Sequence, residues 1–251
     1  MKKLLFLLAL AIPLCLFAQD ASYTMYQTVY LEPDLEHLKD LEANMKAHNE
    51  KFHSEAPYGA IVWQVSSGPN SGKLVWMMGP CTFTDLDDRP AGDDHSSDWR
   101  DNVMSLMEDI GPIEYWRRND DLSIVVDGPP KPIVRVRFSN VIRGQSHRVN
   151  GMFGKIRDAI KEMEGENTWG VYLNEFQQGY ETGRHFATST GMDSWSELDE
   201  GSGTEFSEAY IKAHGAGAWS TFNQELREVF SNTWDEYWVI RPDLSGVSLE
   251  D

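Results

Sequence analysis

Two arginines alternate with apolar residues in Ile133-Val134-Arg135-Val136-Arg137-Phe138. An alternation of period two reads as a strand, with both arginines on one face. Paired guanidinium groups on a strand are suited to holding a carboxylate or phosphate through charge-assisted hydrogen bonds. Further along, Trp234, Glu236 and Trp238 share one parity of another strand, while Tyr237 and Val239 take the other. An unpaired charge on a central strand is too costly to bury, so each must be paired or open to a water-filled cavity. Two readings follow. In one, Arg135 and Arg137 hold an anionic ligand in a pocket walled by Trp116 and Trp238. In the other, Arg137 and Glu236 form a structural ion pair at the sheet interface. His185 lies in a neighbouring strand-like stretch and could reach the same cavity as an acid or a base.

Other chemistry is sparse. Asp85, Asp87, Asp88, Asp93, Asp94, His95 and Asp98 make an acidic loop. Calcium needs six to eight oxygens on such a loop, yet no glycine follows alternating Asp as an EF-hand requires, so a solvated loop is expected. His147 and His214 have no partner at metal-ligand spacing, and His-x-x-x-His and Cys-x-x-Cys are both missing, so no metal site is expected. Nucleophile-elbow, phosphate-loop and dinucleotide motifs are also missing, which leaves catalytic residues unknown. Cys81 follows an apolar strand with no cationic neighbour and reads as a core residue.

These residues must be positioned by a duplicated set of elements. Tyr58-Gly59-Ala60-Ile61-Val62-Trp63 and Gly72-Lys73-Leu74-Val75 return as Trp169-Gly170-Val171-Tyr172-Leu173 and Gly183-Arg184-His185-Phe186, each glycine displaced by 111 residues. Glu114-Tyr115-Trp116 returns as Glu236-Tyr237-Trp238 at a step of 122, which implies about ten inserted residues in the second helical region. Hydrophobic periodicity gives strands over 25–31, 60–65, 73–78 and 113–118. Helices are expected from Pro33-Asp34 to Phe52, with Leu35 and Leu38 on the apolar face, and over Ser97 to Asp109, stopped by Gly111-Pro112. Residues 122–126 are read as an extension. The second copy repeats the order, with strands over 133–138, 168–176, 184–190 and 234–240, a helix over 148–163, and a helical region over 206–229 broken at Gly215-Ala216-Gly217.

Strand, helix, strand, strand, helix, strand is the split β-α-β unit of ferredoxin-like folds. Its strands are apolar on both parities, so each sheet must be covered on both faces. The simplest cover is the other copy. The expected class is therefore α+β, with two tandem ferredoxin-like repeats whose antiparallel sheets face each other and helices outside. The expected division is repeat 1 over 20–127, a Pro-rich linker over 128–132, repeat 2 over 133–241, and a tail over 242–251. On this element order and duplication, the chain resembles the dimeric α+β barrel superfamily in its single-chain tandem form. That superfamily includes small monooxygenases, stress-induced barrel proteins and haem proteins of the chlorite dismutase type. No cofactor is expected from the motifs themselves; the resemblance admits haem, with His185 as an axial ligand.

Lys2 and Lys3 precede an apolar run from Leu4 to Phe17 and a small residue at Ala18, the pattern of a secretory signal peptide over residues 1–19. Pro13-Leu14 before Cys15 does not suit a lipid anchor. With one cysteine left, packing rather than a disulfide must hold the fold. A formal charge of −18 repels nucleic acid and anionic lipid. The expected protein is an exported, periplasmic or extracellular barrel that binds a small or amphipathic ligand between its repeats. The alternatives are an oxidative enzyme and an envelope interaction scaffold.

Overall fold

The structure, a computed structural model, describes residues 23–176, 178–200 and 204–248. The expected signal peptide lies outside them. The strands are β1 (Met25–Pro33), β2 (Ala60–Ser67), β3 (Leu74–Cys81), β4 (Met107–Arg118), β5 (Ile133–Val141), β6 (Gly170–Asn174), β7 (Phe186–Met192) and β8 (Phe230–Ile240). The helices are α1 (Leu38–Phe52), α2 (Asp93–Asp98), α3 (Ser146–Ile160), α4 (Glu197–Glu200), α5 (Glu205–His214) and α6 (Ala218–Val229). Neighbouring strands are antiparallel throughout. The first repeat is ordered β4-β1-β3-β2 and the second β8-β5-β7-β6. The sheets also join at their edges, β2 to β8 and β4 to β6, into one closed eight-stranded barrel. Closure gives every strand a neighbour on both sides, although β4 and β6 meet only over Trp116–Arg118.

Parity along each strand sorts side chains between the barrel interior and the helical layers. In β3, Val75 packs inside, whereas Leu74, Trp76 and Met78 face the first repeat's helices. In β5, Val136 and Phe138 point inward, against Trp63, Trp116 and Trp238. The outer face of the second repeat buries Val149, Met152 and Phe153 of α3 with Tyr210 and Phe222 of α5 and α6. This division into an interior and two flanking cores explains why the strands read as apolar on both parities.

Several boundaries differ from the sequence reading. α1 begins at Leu38, because Asp34 Oδ1 accepts the Glu36 N–H in a turn that keeps Leu35 78 % exposed. The helix expected over Ser97–Asp109 ends early. After α2 come one π-helical turn (Trp99–Val103) and one 3-10 turn (Met104–Leu106), and then β4. Gly111-Pro112 is no helix stop; it lies inside β4, where the register with β1 shifts between Val29 and Leu31. A Cβ at Gly111 would sit 3.3 Å from Tyr30, a tight fit at this bulge. The extension over 122–126 reduces to a single bridge, Ile124 with Trp169. The C-terminal segment is not loose. Leu244 is 2 % exposed in the first repeat's core, Asn49 Nδ2 donates to its carbonyl at 2.7 Å, and Arg241 bonds Glu42 at 2.8 Å.

Candidate functional site

The β5–β8 register decides what the arginines face. Arg135 pairs with Tyr237, Val136 with Glu236, and Arg137 with Asp235. Arg135 and Arg137 therefore share a face with Asp235 and Tyr237, on the helical side of the sheet. Glu236, Trp238 and Trp116 point into the barrel. The Arg137–Glu236 pair is thereby excluded. A slip of one residue exchanges the faces of a whole strand, and with apolar residues on both parities the hydrophobic pattern does not fix that register. The ion pair that does form is Arg137 with Asp235, bidentate at 2.6 and 2.8 Å.

Outside β5, a cleft of about 720 Å³ lies between the sheet of the second repeat and α3, α5 and α6. Its helical wall is apolar, with Phe153, Ile156, Phe206, Trp219, Phe222 and Leu226. Its charged residues are Arg135, Arg137 and, from α6, Arg227; among the described residues no Asp or Glu lines it. Arg137 is held by Asp235, but Arg135 and Arg227 make no hydrogen bond or ion pair among the described residues. In a chain with 40 acidic and 22 basic residues, that is a locally cationic cleft. It suits a ligand with an apolar body and a negatively charged group.

The barrel interior carries a different set. Glu236 is fully buried and accepts from Tyr30 Oη at 2.7 Å, Asn70 Nδ2 at 2.7 Å and Trp238 Nε1 at 2.9 Å. Burial and the adjacent Glu236 carboxylate push the Tyr30 phenol well above its usual range, although the nearby Arg184 acts the other way. Glu114, the counterpart of Glu236 in the first repeat, is instead bound by Arg184 at 2.7 and 2.6 Å. That guanidinium also lies 3.9 Å from the Phe138 ring centroid. Lys73, which corresponds to Arg184, turns outward to Glu32 at 2.7 Å. A second cavity of about 690 Å³ lies between the repeats, bounded by Trp63, Trp116, Phe138, Trp238 and the 128–132 linker. Its charges are mixed: Lys131 pairs with Asp193 and Arg118 with Asp120.

His185 precedes β7 rather than lying within it, and it lines neither cavity. Its Nδ1 accepts from the Val141 N–H at 2.9 Å, and burial lowers its pKa. It is therefore not placed to ligate haem in either space. Among the described residues no other histidine and no cysteine lines them, so the lining of neither fits a haem held by imidazole or thiolate. The acidic loop does not converge: Asp85 bonds Thr82 in its own turn, and Asp98 bonds His48. Cys81 is buried in the core, and its thiol is pushed up to about 11.

Comparison with known proteins bears on the fold. No family profile matches the chain, and no curated protein matches it in sequence. Solved structures do match over most of their length. An anthrone oxidase-like protein has 14 % identity and a TM-score of 0.55, over 90 % of this chain and 94 % of that one. A point mutant of the chlorite dismutase from Candidatus Nitrospira defluvii has 9 % identity and a TM-score of 0.54, over 88 % and 93 %. A Lactobacillus acidophilus NCFM protein named as a candidate monooxygenase has 9 % identity and a TM-score of 0.53, over 87 % and 94 %. The fold is a dimeric α+β barrel. Likeness at these identities establishes the barrel and not its chemistry. No helix among the described residues is long and apolar enough to cross a membrane.

One cluster in this barrel holds candidate metal ligands that no spacing motif marks. His48, His53 and His95 converge on the outer side of the first repeat. Burial pushes His53 down to about 4 and also lowers His48 and His95, which favours the neutral imidazole of each. His48 and His53 are five apart, the spacing skipped by a search for histidines one helical turn apart. His53 reaches the cluster because it lies just beyond the end of α1, off the helical path.

Proposed function

We propose that the protein binds a small amphipathic anion in the cleft between the second repeat's sheet and its helices. Arg135 is its main contact to the charged group and Arg227 a second. The observation that carries this reading is a cleft lined by Arg135, Arg137 and Arg227 and, among the described residues, by no Asp or Glu, with only Arg137 paired, to Asp235, in a strongly acidic chain. The apolar wall of α3, α5 and α6 takes the body of the ligand by burial of its surface, while Asp235 keeps Arg137 on the sheet. The cavity between the repeats is the weaker candidate for an anion, because Asp127, Glu166 and Asp193 stand among its walls.

Anilinonaphthalene sulfonate and dodecanoate are suitable probes, since Trp169 and Trp219 line the cleft and report by fluorescence. Saturable binding of one molecule per chain is expected. A charge-assisted hydrogen bond contributes about 1.5–3 kcal/mol, so Arg135→Glu should weaken binding by about tenfold or more. Lys131→Glu, outside the cleft, should leave it unchanged. Equal affinity in the Arg135→Glu variant would refute the assignment.

A second reading is oxidation of the ligand in the same cleft. It is favoured by the names of the fold neighbours, an anthrone oxidase-like protein and a candidate monooxygenase. Dioxygen uptake that depends on an added aromatic substrate would support it. Recovery of the bound ligand unchanged, with no uptake, would leave binding alone.

A further inference from the structure

Three histidine rings meet on the helix side of the first repeat. His48 comes from α1, His53 follows its last residue, and His95 comes from α2. Their ring centroids form a nearly equilateral triangle with sides of 5.0, 5.3 and 5.3 Å. His48 and His53 are 1 % and 3 % exposed, and His95 closes the cluster on its half-buried side.

Hydrogen bonds at the far side of two rings fix their tautomers. His48 Nδ1 lies 2.6 Å from Asp98 Oδ2, and His53 Nδ1 lies 2.9 Å from the Tyr58 carbonyl oxygen. Both partners are acceptors, so both Nδ1 atoms carry hydrogen and both Nε2 atoms of the neutral rings keep a lone pair. His48 Nε2 is buried and has no hydrogen-bond partner among the described residues, an arrangement that ordinarily demands an explanation. His53 Nε2 faces His95 Nε2 at 3.2 Å. Two nitrogens on a tetrahedral zinc, each at about 2.0–2.1 Å from the metal, stand about 3.3 Å apart. All three ligand atoms lie within 4.8 Å of one another, so a shift of the His48 ring toward the other two would complete the set.

We propose that His48, His53 and His95 form a mononuclear site for a divalent first-row transition metal such as zinc. Three imidazoles suit zinc, copper(II) or nickel rather than calcium or magnesium, which take oxygen donors. Asp98 and the Tyr58 carbonyl supply the outer hydrogen bonds that orient metal-bound histidines. Phe52 and Trp99, each 5.0 Å from the His48 ring, and Trp76, 4.9 Å from the His53 ring, exclude water on the inner side. Three protein ligands leave a fourth position for water or an anion.

The test is titration of the chelator-treated protein with Co2+, a spectroscopic substitute for zinc. One cobalt per chain is expected, with the intense visible bands of four-coordinate cobalt, displaced by one equivalent of zinc. Zinc should also raise the Tm of the unaltered protein, reversibly on chelation. His53→Ala should abolish the bands. His95→Ala, at the less buried position, should weaken binding at least a hundredfold with the circular dichroism unchanged. No stoichiometric uptake, only the weak bands of octahedral cobalt, or bands that persist in both variants would overturn the assignment.

Discussion

Arg184 and Glu114 form a buried ion pair in the interior, with side chains 13 % and 2 % exposed. Removing one partner of a buried pair strands the other, at about 3–5 kcal/mol. Arg184→Ala should therefore lower the urea unfolding free energy by about that amount, whereas Glu114→Gln with Arg184→Met should recover much of it. His185 gives a pH dependence. Burial holds its folded pKa below 6.5, and accepting from Val141 N–H requires the neutral ring. Below pH 6.5 the unfolded chain binds the extra proton, so stability should fall as pH drops through that window. His185→Gln should flatten the slope in denaturant melts at pH 7 and pH 5.5. Asp98→Asn should weaken cobalt binding about 10–100-fold by releasing the His48 ring, read from the same visible bands. At this scale the sequence was only partly legible. The alternation at Arg135 and Arg137 correctly put both on one face. Which face, and that Asp235 rather than Glu236 pairs with Arg137, depended on a register that only tertiary pairing sets. Arg184 went unread as a buried cation because the repeat matches it only to Lys73, which is half-buried and pairs with Glu32.

Among the elements, the duplicated strands and the break at Gly215-Ala216-Gly217 were readable, because glycine and hydrophobic period act locally. The end of the first repeat's second helix was not. Trp99 and Val103 keep a helical spacing, but the chain leaves the α conformation through a π turn to reach β4. The C-terminal segment looked like a tail because its contacts are far off in sequence: Ser245 Oγ accepts from the Val62 N–H at 3.0 Å. Leu244→Ala should accordingly destabilise the protein by about 2–4 kcal/mol, as expected for a buried leucine, measured by the shift in urea midpoint. A variant as stable as the parent would show that the segment only rests on the surface.

For the whole molecule, two open sheets become one closed barrel, and each repeat covers the other's inner face. Neither half should be stable alone. Separately expressed repeats would expose Trp63, Trp116, Phe138 or Trp238 and two unpaired strand edges. They should aggregate singly and regain a cooperative melt when co-expressed. The helical layers then stand as separate territories outside one barrel, the second repeat enclosing the cationic cleft and the first the three histidines. The most direct measurement of what the cleft does is a co-crystal structure with dodecanoate. A carboxylate within hydrogen-bond distance of Arg135, with its chain along Phe153, Trp219 and Phe222, is the predicted result. A ligand lodged between the repeats beside the 128–132 linker, with the cleft empty, would contradict it.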